Sequence, residues 1–198
     1  MIVIASYNGI KFLPNLINSL ETYGPFDQKY LVVNSQSNDP ESLEYLNSLS
    51  SNKIDISVVE CPFNAYDTGA YIWSYRNFID SEYMFLQDSL EIKQPNWLDN
   101  FRDKFSEKID NAIVPWLVFD GGYDNQEQRD FIQNSLSCSD TCGWGVFGPI
   151  FYTRRSILDL MESQNLLNVK PSNKNEQMGM ERGWSAIVNR LGLSYSFI

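Results

Sequence analysis

Short apolar runs rich in β-branched residues alternate with segments of helical periodicity over the first 120 residues. The runs at 2–6 and 30–34 each stop at a polar cluster, as strands do where a turn follows. Between them Leu13, Leu16 and Leu20 recur at the spacing of one helix face. Because alternating strands and helices form crossover units, we predict an α/β protein with a mostly parallel sheet covered on both faces. Further strands are predicted at 54–59, 83–86 and 112–119, and helices near 40–49, 68–78 and 97–105.

The pattern changes after residue 120. A polar stretch runs from Gly121 to Gly145 and has helical periodicity only at 126–134, and loops of this length are usually functional or mobile. Beyond it, a strand is predicted at 146–152 and helices at 156–162 and 180–191. The 198 residues, 43% of them hydrophobic, suffice for one substantial core, so we expect a single domain.

Composition argues against nucleic-acid binding and against histidine-based catalysis. The chain has 15 basic and 25 acidic residues, and its net charge of −10 argues against binding nucleic acid through the phosphates. It has no histidine, which removes the usual general base near neutral pH, the Ser-His and Cys-His pairs, and the commonest transition-metal ligand. Acid–base chemistry therefore falls to carboxylates, tyrosines or lysines.

Cysteine usage and hydropathy favour a cytoplasmic protein. Cys61, Cys138 and Cys142 are an odd number, so reduced thiols are expected, with a Cys138–Cys142 bridge or metal clip as the alternative. No stretch approaches the roughly 18 apolar residues of a membrane span. The N-terminus also lacks the basic region, apolar run and cleavage site of a signal peptide.

Three polar clusters follow predicted strands, at residues 6–8, 34–39 and 87–89. Ligands of open parallel sheets bind beyond the carboxyl ends of the strands, so these clusters are expected to form one site. Asp88 comes just after the run 83–86 and Gln87, at the end of a predicted strand, where a carboxylate has little structural purpose. It either binds a ligand or caps the backbone of the turn.

The segments at 2–8, 32–39, 64–70, 85–89 and 95–98, with Glu181 ahead of Gly192, occur in an order that resembles the GT-A glycosyltransferases. The likeness is to the family-two-like inverting enzymes and covers nearly the whole chain. It implies a Rossmann-like, single-domain GT-A fold, with a nucleotide-sugar-binding half at 1–110 and an acceptor and catalytic half at 111–198. It also implies transfer of a sugar from a nucleotide-diphosphate sugar, with UDP as the first expectation, to a hydroxyl of a glycan or similar acceptor.

The resemblance places the donor pocket mainly in the first half. Tyr7 matches an aromatic residue that lies against the nucleotide base, and Asn34 stands where the family has aspartates on the base or ribose. Gly69 permits close approach of the backbone to the nucleotide. Asp67 either accepts a hydrogen bond from the base or ribose or caps the following helix. The donor-binding residues implied are Ala5, Tyr7, Asn34, Asn64, Asp67, Gly69 and Asp88.

The Asp-x-Asp segment of the family, which holds the ribose and a divalent cation, corresponds to residues 87–89, where only Asp88 keeps a carboxylate. With oxygens of the diphosphate, Asp88 would still hold Mn²⁺ or Mg²⁺. Alternatively, cationic side chains of the C-terminal segment neutralise the diphosphate. Residues 145–198 contain 6 basic and 4 acidic residues, unlike the acidic first 144.

The catalytic base of the family is an acidic residue at the start of a late helix, which Glu181 matches, with Glu176 as second choice. Glu181 would remove the proton of the acceptor hydroxyl, helped by burial beside Trp184, or it would only complement the helix dipole. Trp144 and Trp184 are either acceptor-stacking or core residues. Because the outer aspartates are replaced, a catalytically degenerate nucleotide-sugar-binding protein or subunit is the alternative function.

Overall fold

A computed structural model describes residues 1–64, 66–137 and 143–198. Cys138 and Cys142 lie outside these ranges. No helix in the described ranges is long and apolar enough to cross a membrane. The strands are β1 (Ile2–Ser6), β2 (Lys29–Asn34), β3 (Asp55–Glu60), β4 (Glu82–Gln87), β5 (Asn111–Pro115), β6 (Val118–Asp120), β7 (Trp144–Val146), β8 (Phe151–Arg154) and β9 (Ser194–Tyr195). The helices are α1 (Leu13–Tyr23), α2 (Pro40–Ser48), α3 (Tyr66–Asn77), α4 (Trp97–Ser106), α5 (Gln126–Leu136), α6 (Arg155–Ser163) and α7 (Lys174–Arg190), with a 3-10 helix at Gly9–Lys11.

Within the described residues, seven strands form one sheet in the order β3-β2-β1-β4-β8-β5-β9, and β6 pairs with β7 in a separate ribbon. β3, β2, β1 and β4 are parallel neighbours, whereas β8 runs antiparallel between β4 and β5. The predicted α/β class with a mostly parallel central sheet is therefore confirmed.

Helices cover both faces of the sheet and form two cores. Apolar residues of α1, α2 and α4 pack on one face, and those of α3, α5, α6 and α7 pack on the other. On the second face, rings run from Tyr71 through Phe85 and Phe151 to Trp184, with centroids 4.6, 5.1 and 4.7 Å apart. Trp184 is 1% exposed and Trp144 8%. Both tryptophans are therefore core residues.

Three predicted boundaries were wrong. The expected strand at 112–119 divides into β5 and β6, because the chain leaves the main sheet after Pro115 and β6 pairs with β7 instead. The expected strand at 146–152 likewise divides between β7 and β8. The last helix begins at Lys174 rather than at 180, because Asn173 caps it by accepting a hydrogen bond from the Glu176 N–H at 3.0 Å.

The carboxyl ends of β1, β2 and β4 meet at one edge of the sheet. The register places Ser6 beside Asn34 and Ala5 beside Gln87. The polar clusters that follow these strands in the sequence are therefore neighbours in space, as predicted.

Candidate functional site

Asp88 follows β4 directly, and its carboxylate is held by β1 and the adjoining turns. Oδ2 accepts a hydrogen bond from Ser6 Oγ at 2.9 Å, and the backbone N–H groups of Tyr7 and of Asp88 itself also donate to the carboxylate. Burial raises the pKa of Asp88, and these hydrogen bonds oppose the rise. A Cβ on Gly9 would lie 2.4 Å from Oδ2, so only glycine fits there. Asp88 is thus fixed at the sheet edge, and it also caps the backbone of the turn.

The loop after β1 presents Tyr7 at this edge. Its side chain is 45% exposed, whereas Ala5 is buried inside the strand. Asn8 adopts a left-handed φ of 52°, and its Oδ1 accepts hydrogen bonds from the N–H groups of Asn38 and Asp39 at 2.9 and 3.0 Å. The loops after β1 and β2 therefore brace each other, and the Tyr7 ring is available to stack on a planar ligand.

Asn34 uses its polar atoms within the protein. Its Nδ2 donates to both carboxylate oxygens of Glu60 at 2.9 and 3.0 Å, and its Oδ1 accepts from the Ser37 N–H at 2.9 Å. The side chain is 1% exposed. Asn34 therefore holds the loop after β2 in place, and its contact with a base or ribose stays a prediction.

Asp67 joins three elements beneath the site. α3 begins at Tyr66, so Asp67 lies inside the first turn of the helix rather than before it. The prediction that Asp67 caps this helix is therefore wrong. Its Oδ2 accepts hydrogen bonds from Gln87 Nε2 at 2.6 Å and Gln177 Nε2 at 3.5 Å. Gln177 Oε1 in turn accepts from the Thr68 N–H at 3.3 Å. Asp67 thereby connects α3, the end of β4 and α7.

Asn64 and Gly69 lie apart from this network. Asn64 is exposed. Gly69 is two positions after Asp67, and two residues turn a helix by about 200°, so the two residues lie on nearly opposite sides of α3. It lines a cavity of about 340 Å³ with Ile72 and Val169, which contains neither Asp67 nor Asp88. The predicted roles of both residues in donor binding stay predictions.

Glu181 reaches the same site from the second turn of α7. Its side chain is 20% exposed, and its carboxylate accepts the backbone N–H of Gly148. Burial raises the pKa of Glu181, and the neighbouring Arg182 guanidinium opposes the rise. A Cβ on Gly148 would lie 2.6 Å from Gln87 Oε1, so the turn that holds Glu181 packs directly on Gln87. Gln87 therefore precedes Asp88 in the chain, bonds to Asp67, and contacts the turn whose N–H holds Glu181.

Glu176, the second choice for the base, has a structural explanation. It lies in the first turn of α7, and its Oε2 accepts hydrogen bonds from the Ser172 N–H and, at 2.7 Å, from Ser172 Oγ. Together with the Asn173 cap, these contacts satisfy donors at the start of the helix. Glu176, and not Glu181, therefore complements the helix N-terminus.

The site is strongly acidic. Burial, and then the nearby charges of Asp88 and Glu181, raise the pKa of Asp67 to about 6, while the Gln87 hydrogen bond and Lys174 oppose the rise. Within the described residues, no three acidic or cysteine side chains are grouped so as to hold a metal ion. The donor set therefore fits a divalent cation only as a site in which Asp88 supplies one ligand and a diphosphate supplies others.

Most basic residues of the C-terminal segment are already engaged. Arg182 pairs with Asp124 at 2.9 Å, donates to Gly122 O at 3.1 Å and covers the ring of Phe119. Lys174 is exposed, has no ion pair or hydrogen bond in the described part of the chain, and lowers the pKa of both Asp67 and Glu181. The remaining four contact other groups: Arg154 with Phe105, Arg155 with Tyr75, Lys170 with Phe63, and Arg190 with Leu136 O.

Sequence reasoning missed Gln177 and singled out no individual cation. The spacing of Gln177 and Glu181, one helical turn apart, is a signal that was present, because it places both side chains on one face of α7. Of the six basic residues after 144, Lys174 is the one without an ion pair, hydrogen bond or ring contact among the described residues.

Asp67→Asn should make stability less sensitive to pH. A carboxyl whose folded pKa is raised from 3.8 to about 6 adds stability only at low pH and loses it as pH rises through 6. The free energy of unfolding of the neutral variant, relative to that of the wild type, should therefore rise by about 1–3 kcal/mol between pH 4 and pH 7.5. Urea unfolding at both values measures this gain, with the exposed Asp103→Asn as control. A difference that is the same at both pH values would contradict the raised pKa.

An aromatic ring and a carboxylate thus lie at the carboxyl ends of parallel strands, where open α/β sheets bind their ligands, and α7 adds a second carboxylate that affects the same Asp67. The profile described as "Glycosyl transferase family 2" matches residues 1–166. The chain belongs to glycosyl transferase family 2, and its fold is GT-A. The matched range contains Asp67 and Asp88 and ends before Glu181.

Solved structures with the same fold are distant in sequence. Mannosyltransferase PcManGT from Pyrobaculum calidifontis, in complex with GDP-Man and Mn²⁺, matches with a TM-score of 0.65 and 14% identity over 100% of this chain and 53% of that one. S. aureus TarS 1-349, in complex with UDP-GlcNAc, matches with 0.58 and 15% over 100% and 55%. Glucosyl-3-phosphoglycerate synthase from Mycobacterium tuberculosis, in complex with UDP, matches with 0.52 and 14% over 98% and 80%. A search of curated proteins found no match. The chain spans about half the length of the first two structures.

Proposed function

We propose that this chain transfers a sugar from a nucleotide-diphosphate sugar to an acceptor hydroxyl with inversion at the anomeric carbon. The observation that supports it most is the position of Gln87, which ends β4 beside Ala5 of β1, bonds to Asp67, and packs on the turn whose N–H holds Glu181. Because Asp88 and Glu181 both act on the pKa of Asp67, we assign the two carboxylates to one reaction centre, Asp88 on the donor side and Glu181 as the base. Residues 1–110 supply the first and residues 111–198 the second.

In the proposed reaction, Glu181 accepts the proton of the acceptor hydroxyl while that oxygen forms a bond to the anomeric carbon. The bond from this carbon to the diphosphate breaks on the opposite side, and its electron pair leaves with the nucleoside diphosphate. Because attack and departure are in line, the configuration inverts. A base acts best when its pKa approaches the working pH, so the burial that raises the pKa of Glu181 favours this role.

On the donor side, the exposed ring of Tyr7 stacks on the base and Asp88 faces the diphosphate end. A divalent cation, Mn²⁺ or Mg²⁺, would be held by Asp88 and would neutralise the charge of the departing diphosphate. Lys174 is the alternative source of positive charge. The GDP-Man, UDP and UDP-GlcNAc complexes of the similar structures support a nucleotide-sugar donor, and UDP stays our first expectation. A glycan acceptor and a cytoplasmic location also belong to the proposal.

A catalytically degenerate nucleotide-sugar binder is the second candidate, because Gln87 and Ser89 replace the outer aspartates. Calorimetry with UDP-, GDP- and dTDP-sugars, with and without Mn²⁺, followed by assay of donor hydrolysis, separates the candidates. We expect binding of one nucleotide class and slow release of free sugar. Binding without turnover in the presence of any acceptor would favour the degenerate protein. If the protein binds none of these donors, both candidate functions are overturned.

A further inference from the structure

A cavity of about 560 Å³ lies beside the candidate site, on the α4 face of the sheet. This size falls in the range of small-molecule sites, roughly 300–1,000 Å³. Its inner wall is apolar and buried, with side chains from β4, α4 and the turn before β8. The wall residues are Met84, Leu86, Trp97, Phe101 and Ile150.

The mouth of the cavity combines apolar surface with free polar groups. Trp116 and Ile198 line it and are 44% and 45% exposed. Ser89, Gln94 and Asn100 also line it, and their side chains have no hydrogen-bonding partner among residues 1–64, 66–137 and 143–198. An apolar wall with a few unpaired polar groups at the entrance suits a ligand that has one apolar end and one polar end.

The cavity adjoins the proposed reaction centre through two segments. Ser89 directly follows Asp88, and consecutive Cα atoms are about 3.8 Å apart. On the other side, Ile150 lies two positions after Gly148, whose N–H holds Glu181. The Trp116 N–H donates to Ile150 O at 3.0 Å, which fixes the outer wall to this turn. Along the chain, the cavity lining therefore borders both the residue Asp88 and the turn that holds Glu181.

We propose that this cavity binds the apolar group of the acceptor, an aryl or alkyl substituent attached to the sugar or alcohol that carries the attacking hydroxyl. The proposal rests on the proposed function. A nucleotide diphosphate does not suit the cavity, because an apolar wall without a free cation leaves its charges unpaired. Lys93, at the rim, already has Glu91 as partner at 3.6 Å. Gln94 and Asn100 are placed to bond the polar part of the acceptor.

Calorimetry tests the proposal with methyl, para-nitrophenyl and octyl glucosides, the last below its micelle concentration, added to the full chain. The two apolar glucosides should bind at least about tenfold more tightly than methyl glucoside, because only they remove apolar surface from water. Comparing the para-nitrophenyl glucoside with the octyl glucoside shows whether the cavity prefers an aryl or an alkyl group. Equal affinity of all three glucosides would overturn the proposal.

Asn100→Trp places a large side chain at the cavity mouth and should abolish the preference for apolar glucosides while nucleotide-sugar affinity stays unchanged. Asp103→Trp is the matched control, since Asp103 is also exposed on α4 and does not line the cavity. An undiminished preference in Asn100→Trp would contradict the assignment. A second result would also contradict it. If no glucoside binds to the wild type, and sedimentation shows a dimer that Asn100→Trp dissociates, the surface joins two copies of the chain.

The outcomes also separate this proposal from the function on which it rests. If a nucleotide sugar binds and turns over but octyl glucoside does not bind, the cavity assignment alone fails. If octyl glucoside binds but no nucleotide sugar does, the acceptor role fails together with the proposed function. Transfer to octyl glucoside with a lower KM than for methyl glucoside, reversed in Asn100→Trp, supports both.

Discussion

Glu181→Gln is expected to lower the rate of sugar transfer by about 10²–10⁴-fold, the range typical of a lost general base. The amide keeps the size of the side chain and can still accept the Gly148 N–H, so the turn beside Gln87 should stay in place. It cannot take the proton of the acceptor hydroxyl. The affinity for the nucleotide sugar should change little, because the proposed partner of Glu181 is the acceptor. Steady-state kinetics and donor calorimetry on the same protein measure the two quantities.

The control for this variant is Glu176→Gln in the same helix. Glu176 accepts hydrogen bonds from Ser172 at the start of α7. Because the amide of Gln keeps an acceptor, the variant should lose only the charge at the helix N-terminus, about 0.3–1 kcal/mol of stability, and leave turnover near that of the wild type. If Glu176→Gln loses turnover and Glu181→Gln keeps it, the base is Glu176. If neither variant affects turnover, no carboxylate of α7 is the base.

Local patterns account for the parts of the fold and site that the sequence predicts well. The α/β class follows from alternating strand and helix periodicities, each of which is read within about ten residues. Asp88 was found because a carboxylate directly follows an apolar strand. The Asn173 cap was also readable, since an Asn followed three residues later by Glu176 marks a helix start, but the predicted helix began at residue 180.

The rest of the site depends on contacts between distant parts of the chain. Asp67 and Gln177 are 110 positions apart, and their hydrogen bond exists only because α3 and α7 pack on the same face. The pKa of Asp67 depends on Asp88 and Glu181 in the same way. Likewise, the cavity beside Ser89 is formed by β4, α4, and the chain around Trp116 and Ile150, and no single segment predicts it.

Asn34 shows how a residue can match a family position and yet have a different local task. The resemblance put it where aspartates contact the base or ribose, but its amide is committed to Glu60 and Ser37. Both polar loops that surround the donor side, after β1 and after β2, are braced by asparagines. We infer that the neutral asparagines stiffen these loops, and that the charge of the donor site depends on Asp88, Asp67 and Lys174.

Asp88→Asn should therefore weaken nucleotide-sugar binding in Mn²⁺ by at least about tenfold, because the variant removes the carboxylate that we propose shares a cation with the diphosphate. The amide can still accept one of the three hydrogen bonds that hold Asp88, so the fold should be retained. Calorimetry with UDP and Mn²⁺, and the electron paramagnetic resonance signal of free Mn²⁺, measure donor and metal binding separately. Ser6→Ala, which deletes one hydrogen bond and keeps the charge, is the matched control.

The same titrations decide between the cation and Lys174. If Asp88 holds Mn²⁺, chelation of the metal should weaken the wild type to the level of Asp88→Asn, and the variant should be insensitive to the metal. If Lys174 serves instead, wild-type affinity should be independent of Mn²⁺, and Lys174→Met should lose affinity in proportion to the charge of the ligand, more for a diphosphate than for a monophosphate. Unchanged Mn²⁺-dependent affinity in Asp88→Asn would remove Asp88 from the metal site, because the metal would then bind without its carboxylate.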